Sequence, residues 1–167
     1  MSFKEINPKE MDFNAFSLLD DNWSLITAGT EDKFNTMTAS WGSFGYMWKK
    51  PIFIAVIRPT RYTYEFIEKE DLYSVSFFDT EYKKALAFCG AHSGRDCDKI
   101  KETGLTPAFD NGVAYFKEAK FVFICKKLYI EDVKPEGFIG MPADEAYPEK
   151  NFHRAYVSEI VKVLKKD

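Results

Sequence analysis

The chain has 167 residues, 46% of them hydrophobic and 29% charged, and its 23 basic against 26 acidic side chains give a formal net charge of −3. That length describes one domain, able to bury roughly two-thirds of its unfolded surface without disulfides or a structural metal, and the acidic balance leaves no electrostatic footprint for non-specific nucleic-acid binding. The longest apolar runs, Ile52 to Ile57 and Phe121 to Cys125, fall far short of the ~20 residues that span a bilayer.

The first eight residues carry early charges and no apolar stretch, so no signal peptide is expected and a cytoplasmic location is. Trp23 to Ala28, ending in Gly29, reads as a strand, and Thr36 to Trp41 alternates polar and apolar as a second. Ile52 to Ile57 is a continuous apolar run of strand length, expected to be buried on both faces. Leu72 to Phe78, Val113 to Phe116, Phe121 to Val133 and Phe152 to Leu164 complete the predicted strands.

Between them lie short helices. Thr60 is a candidate cap for one over Tyr64 to Ile67, and Asp79 or Thr80 for one over Glu81 to Cys89 with Gly90 just beyond its end. A third starts near Asp96, itself a candidate cap, and stops at Gly104. Asp110-Asn111-Gly112 is a hairpin signal, since Asn and Gly tolerate the positive φ of a type I′ turn. Six or more antiparallel strands with small inserted helices favour a closed or split barrel over a Rossmann fold. No GxGxxG or P-loop is present.

Three segments offer chemistry. On a strand, Met37, Ala39 and Trp41 face one way and Thr36, Thr38 and Ser40 the other, so small polar side chains and backbone N–H groups could lie against a flat heteroaromatic ligand. The same alternation also describes an ordinary half-buried strand with a solvated hydroxyl face. Arg58-Pro59-Thr60-Arg61-Tyr62-Thr63 sets two guanidiniums and hydroxyls at a helix start, a plausible phosphate grip. It could equally be a polar surface loop. Ala91 to Lys99, with Ser93, Gly94, Arg95 and Lys99, has the same character, and there too a capped helix with solvated charges is the alternative.

His153, before the last strand, is the one candidate for a catalytic side chain, although a lone histidine is more often structural. Cys89, Cys97 and Cys125 match no metal spacing, and with only two histidines in the chain no metal site is expected. The 16 Phe, 9 Tyr and 3 Trp could fill a core, line a flat-ligand pocket or build a subunit interface.

Taken in order, Trp23 to Gly29, Asn35 to Gly42, Arg58 to Thr63 and Ser93-Gly94-Arg95-Asp96 with Asp98-Lys99 closely resemble the flavin reductase-like family, and within it the flavoredoxin branch. The resemblance runs from about Asn14 to Leu105 and resumes at His153 to Ile160. It implies a mainly β fold, an antiparallel Greek-key split β-barrel with short inserted α-helices, spanning 1–167 as a single FMN-binding domain that works as a homodimer. It implies a flavin reductase or flavoredoxin activity, in which NADH or NADPH delivers electrons through FMN to free flavin, a small oxidant or a redox protein. A flavin carrier without nicotinamide oxidation is the alternative.

By the same resemblance the cofactor contacts are Asn35, Thr36, Met37, Thr38, Ala39, Ser40 and Trp41 along the isoalloxazine. Arg58, Arg61, Tyr62, Thr63, Ser93, Gly94, Arg95 and Lys99 lie towards the ribityl phosphate. The family's Gly-Asp-His before the last strand stands here as Asn151-Phe152-His153, so only the histidine carries over. An FMN phosphate brings about two negative charges, which an acidic protein must meet with a local basic cluster.

Overall fold

In the computed structural model, which describes residues 2–167, eight strands form one antiparallel sheet: β1 (Phe3–Ile6), β2 (Ser24–Gly29), β3 (Phe34–Ala39), β4 (Gly42–Met47), β5 (Lys50–Ile57), β6 (Leu72–Phe77), β9 (Phe121–Asp132) and β10 (Arg154–Lys166). A separate hairpin pairs β7 (Pro107–Asp110) with β8 (Val113–Phe116). The helices are short: α1 (Ala15–Ser17), α2 (Tyr62–Ile67), α3 (Lys83–Ala91), α4 (Lys99–Thr103) and α5 (Ala143–Ala146).

The sheet order β3-β2-β6-β9-β10-β5-β4, with β1 beside the far part of β10, puts β3 and β4 on opposite edges. Yet only Ser40 and Trp41 separate them in the chain. Three Cα–Cα steps of 3.8 Å span at most about 11 Å, so the two edges must come together and the sheet must roll. The result is a mainly β, Greek-key split barrel, and the slit lies between β3 and β4. Gly42 permits the junction, because a Cβ there would sit 2.9 Å from the Ile54 carbonyl oxygen and 3.0 Å from the Phe53 ring.

Period-two patterning divides the apolar residues between two cores. Tyr73, Val75 and Phe77 on β6 and Phe121, Phe123 and Cys125 on β9 join Phe53, Ala55 and Ile57 inside the barrel. Val122 and Ile124, on the other face of β9, pack with Leu25, Leu86, Cys89 and Phe116 under α3 and the β7–β8 hairpin.

The elements depart from the sequence reading at identifiable places. β1 and β4 were not foreseen. β4 is rich in glycine, and its hairpin to β5 turns on Trp48 and Lys49, both at positive φ, where no turn residue advertises it. β5 is not sealed on both faces: Ile52, Phe53, Ala55 and Ile57 are buried, but Ile54 and Val56 are half-buried, because the slit opens beside Val56. α2 begins at Tyr62 with Arg61 rather than Thr60 in the capping position. Asp79 forms no side-chain cap and pairs with Lys120 instead. Gly90 lies inside the last turn of α3. The third helix starts later, because Asp98 and not Asp96 accepts from the amides of Ile100 and Lys101. Gly104, at φ 70°, ends it. β10 begins at Arg154, leaving Phe152 and His153 ahead of the strand. Asn111 and Gly112 do adopt positive φ at the predicted hairpin.

Candidate functional site

The slit holds a cleft of about 180 Å³ lined by Met37, Thr38 and Ala39 of β3, Ser40 and Trp41 of the β3–β4 connection, Val56 and Arg58 at the end of β5, Arg61 and His153. It shares Met37 and Arg61 with a basin of about 380 Å³, whose walls include Asn35, Tyr62, Thr63, Ser93, Arg95 and Lys99. A third hollow continues past Asn35, Arg95 and Lys99 to Thr36 and Gly94. The cleft alone is smaller than the roughly 300–1,000 Å³ of ordinary ligand pockets, but with the adjoining basin the groove reaches that range. Every candidate residue named from the sequence therefore lies along one run of adjoining hollows, although the segments carrying them are up to 118 positions apart, from Asn35 to His153.

Their roles divide once the hydrogen bonds are read. The hydroxyl face of β3 is not solvated. Thr36 Oγ1 lies 2.8 Å from Thr27 Oγ1, and Thr38 Oγ1 donates to the carbonyl of Leu86 in α3. Both hydroxyls serve the fold, and Ser40 is the hydroxyl of that face that lines the cleft with no side-chain bond among the described residues. Asn35 donates to Thr63 Oγ1 at 2.8 Å and so links β3 to α2. Gly94 presses against the same amide, where an added Cβ would stand only 2.0 Å from Asn35 Oδ1.

Lys99 is buried and donates from Nζ to the carbonyls of Thr36 and Cys89, both at 2.8 Å. It ties β3 to α3 and keeps one N–H for the basin. Arg61 donates to the carbonyl of Gly90, and Arg58 to Asn151 Oδ1. Arg95 differs from these three. Its guanidinium pairs with Glu65 and lies 4.6 Å from the Tyr62 ring centroid.

The charge pattern is one-sided. Among the described residues no carboxylate pairs with Arg58, Arg61 or Lys99. Burial, and then the nearby Arg58, lower the Arg61 pKa. Burial lowers that of Lys99, with Arg61 adding to the effect against the opposing influence of Cys89. Cations held close together and partly desolvated favour an anion among them. α2 and α4 have six and five residues, so this preference rests on side-chain charge more than on helix ends.

At the other end, His153 Nδ1 lies 2.7 Å from the hydroxyl of Tyr147, and the Trp41 ring centroid is 5.1 Å from the imidazole. Burial and the Arg58 charge push the His153 pKa down to about 4, so the ring is neutral near pH 7. Val56, Gly90, Tyr147 and Asn151 were missed from sequence. Each reaches the site through tertiary packing; Asn151 stands in the segment that replaces the family's Gly-Asp-His, and the other three sit in no motif that announces them.

Two of the three thiols are quiet. Burial raises the Cys89 pKa to about 11 despite Lys99, and Cys125 is fully buried.

Comparison with known proteins agrees with this architecture. Residues 17–163 match the family described as flavin reductase like domain. A sequence search of curated proteins gives no match. Among solved structures, an FMN-binding protein from Thermus thermophilus with bound p-hydroxybenzaldehyde is similar at a TM-score of 0.68 and 22% identity, covering 87% of this chain and 72% of that one. A flavoredoxin from Methanosarcina acetivorans gives 0.68 and 20%, over 87% and 69% of the two chains. The styrene monooxygenase flavin reductase from Pseudomonas putida S12 gives 0.65 and 14%, over 87% and 80%. At these identities the structures establish the split-barrel fold, while the match over residues 17–163 establishes the family: the chain belongs to the flavin reductase-like family.

Proposed function

We propose that this protein binds FMN in the groove between β3, α2 and α4 and works as an NAD(P)H-dependent flavin oxidoreductase. One observation carries the reading: three cations without carboxylate partners, Arg58, Arg61 and Lys99, gather along one groove of a protein whose net charge is −3. The donor set suits a phosphate monoester, because Arg61, Lys99, Ser93 and Arg95 share the basin wall, and guanidinium and ammonium groups make charge-assisted bonds to such oxygens. The slit end suits a flat ring, with Ala39, Val56 and Trp41 as apolar lining and Ser40, Arg58 and His153 as polar lining.

Bound FMN would supply the redox chemistry, taking a hydride from NADH or NADPH and giving electrons up to free flavin, a small oxidant or a redox protein. The protein's own part is to hold the phosphate, to orient the ring against β3 and to present hydrogen-bond donors from Arg58, Arg61 and the backbone. No side chain is required to carry a proton.

A homodimer belongs to the same proposal. Leu128, Tyr129 and Ile130 are consecutive in β9 and all exposed, so neither face of that strand end is covered. With Tyr46, Met47 and Trp48 they form an apolar area suited to a second copy.

A second reading, flavin binding without nicotinamide oxidation, is favoured by the Trp41 and His153 rings, which line the cleft with their centroids 5.1 Å apart and narrow it. Fluorescence titration of FMN into the purified protein tests the shared premise, with quenching expected. FMN fluorescence that stays constant would overturn both readings. Anaerobic addition of NADH and then NADPH separates them, since an oxidoreductase bleaches the flavin and a carrier leaves it oxidised.

A further inference from the structure

The segment between β9 and β10 folds back over the slit and delivers Tyr147, a buried residue, behind His153. Phe152, Phe138 and Trp41 surround the Tyr147 ring at centroid distances of 4.8, 6.1 and 6.4 Å, and the Arg58 guanidinium lies 5.6 Å from it. The phenol is therefore held from several sides and meets the histidine at a fixed angle.

The two imidazole nitrogens have different surroundings. Nδ1 is taken by the Tyr147 hydroxyl at 2.7 Å. Nε2 has no partner among the described residues, and it is not sealed from solvent either, since Ser76 Oγ is the buried side-chain polar atom left without a partner. Because His153 lines the cleft and Tyr147 does not, Nε2 is the nitrogen that opens on it. The Tyr147 hydroxyl has no other acceptor among the described residues. A buried O–H must donate somewhere, and donation to Nδ1 places the ring proton on Nε2.

We propose that Tyr147 is a positioning residue that fixes His153 as the Nε2–H tautomer, so that the cleft receives ring ligands through an acceptor-bearing edge such as a carboxylate or carbonyl. Three donors then face the ligand, this N–H and the guanidiniums of Arg58 and Arg61, and no carboxylate lines the cleft. Protonated amines are disfavoured for the same reason. Identifying the ligand as the electron donor or acceptor rests on the function proposed above, whereas the tautomer and the edge preference do not.

The charged and titratable groups facing the imidazole are Arg58 and Arg61 across the cleft and Tyr147 behind it. Trp41 adds only an uncharged ring, and Arg154 is turned away into Asp132 and Glu68.

The experiment is two-bond ¹H–¹⁵N spectroscopy of histidine-labelled protein, with the His153 signals identified by their loss in His153→Asn. At neutral pH the expected pattern is a protonated Nε2 and an unprotonated Nδ1, with a titration midpoint near 4. A protonated Nδ1 in the wild-type protein overturns the proposal, and this readout needs no variant to fold.

In Tyr147→Phe the signals should move towards exchanging tautomers and the midpoint should rise. A Tyr147→Phe spectrum identical to wild type counts against it. Benzoate should shift the His153 signals and bind about fivefold more weakly to Tyr147→Phe. Benzylamine producing that shift in place of benzoate overturns the edge preference. FMN titration of the same sample reports on the proposed function separately, because the imidazole pattern is read without flavin.

Discussion

Arg61 Nη1 donates to the carbonyl of Gly90 at 3.1 Å, and this bond joins the start of α2 to the last turn of α3 across the groove. The rest of the guanidinium stays turned to both the cleft and the basin. Arg61→Ala should therefore remove a charge-assisted contact and loosen the junction together. FMN binding should weaken by roughly 10- to 100-fold, corresponding to about 1.5–3 kcal/mol for a hydrogen bond to a charged group. Arg61→Lys should recover part of the affinity through charge but not the planar fork. Fluorescence titration measures both, and equal affinity in wild type and Arg61→Ala would remove Arg61 from the site.

Arg58 and Arg95 belong to the same groove but start from different states. Arg95 already neutralises Glu65 and stacks on Tyr62, while Arg58 has only the neutral amide of Asn151 and the Tyr147 face. Each substitution removes one positive charge, but the Arg95 guanidinium is already engaged by Glu65 and has less left to offer a ligand than that of Arg58. Arg58→Ala should thus weaken FMN binding several-fold more than Arg95→Ala. Comparable losses from the two would mean that the Glu65 pair opens when ligand arrives.

How far these relationships could be read from sequence depends on their range. The Asn35–Trp41 alternation, the two arginine-bearing segments and the Asn111-Gly112 turn are local patterns; the first three line adjoining hollows, and the turn adopts positive φ as its residues predict. The spending of Thr36 and Thr38 on internal bonds was not legible, because the first depends on β2 lying beside β3 and the second on α3 packing across it. Nor was β4, whose turn at Trp48 and Lys49 carries no residue that favours positive φ. Tyr147 stayed hidden for a related reason: its partners Trp41, Arg58 and His153 come from three separate segments.

Gly94 shows how a backbone position can control the site through packing alone. A Cβ there would stand 2.0 Å from Asn35 Oδ1 and 3.2 Å from the Tyr62 ring. Gly94→Ala must push Asn35 aside, and the Asn35–Thr63 bond is the first contact at risk. The expected result is a loss of about 1–3 kcal/mol in stability from overpacking, accompanied by weaker FMN binding. Thermal unfolding and FMN titration on one preparation check it, and an unaltered Tm would show that the loop yields freely.

Ser76 makes an opposite case. It is buried in β6, and its hydroxyl has no partner among the described residues, so the folded state carries an uncompensated polar group. Ser76→Ala should raise stability by about 1 kcal/mol, which for a chain of this size is a Tm increase of about 2–4 °C. A lower Tm in the variant would mean that the hydroxyl is satisfied by water in solution.

His153 gives stability an acid limb. Its folded pKa near 4 lies below the ordinary imidazole value of 6.5 because burial and then Arg58 disfavour the imidazolium. Between those values the unfolded chain binds a proton that the folded chain does not, so stability rises with pH through the window and is lost as pH falls from 6.5 towards 4. The ring opens on a solvated cleft, which screens the effect to the order of 1–2 kcal/mol. His153→Gln cannot take up that proton. From pH 6.5 to pH 4 the wild-type Tm should therefore fall several degrees further than that of His153→Gln, with carboxylate titration common to both. Parallel Tm curves for the two proteins would show that His153 titrates at its ordinary value in the folded state.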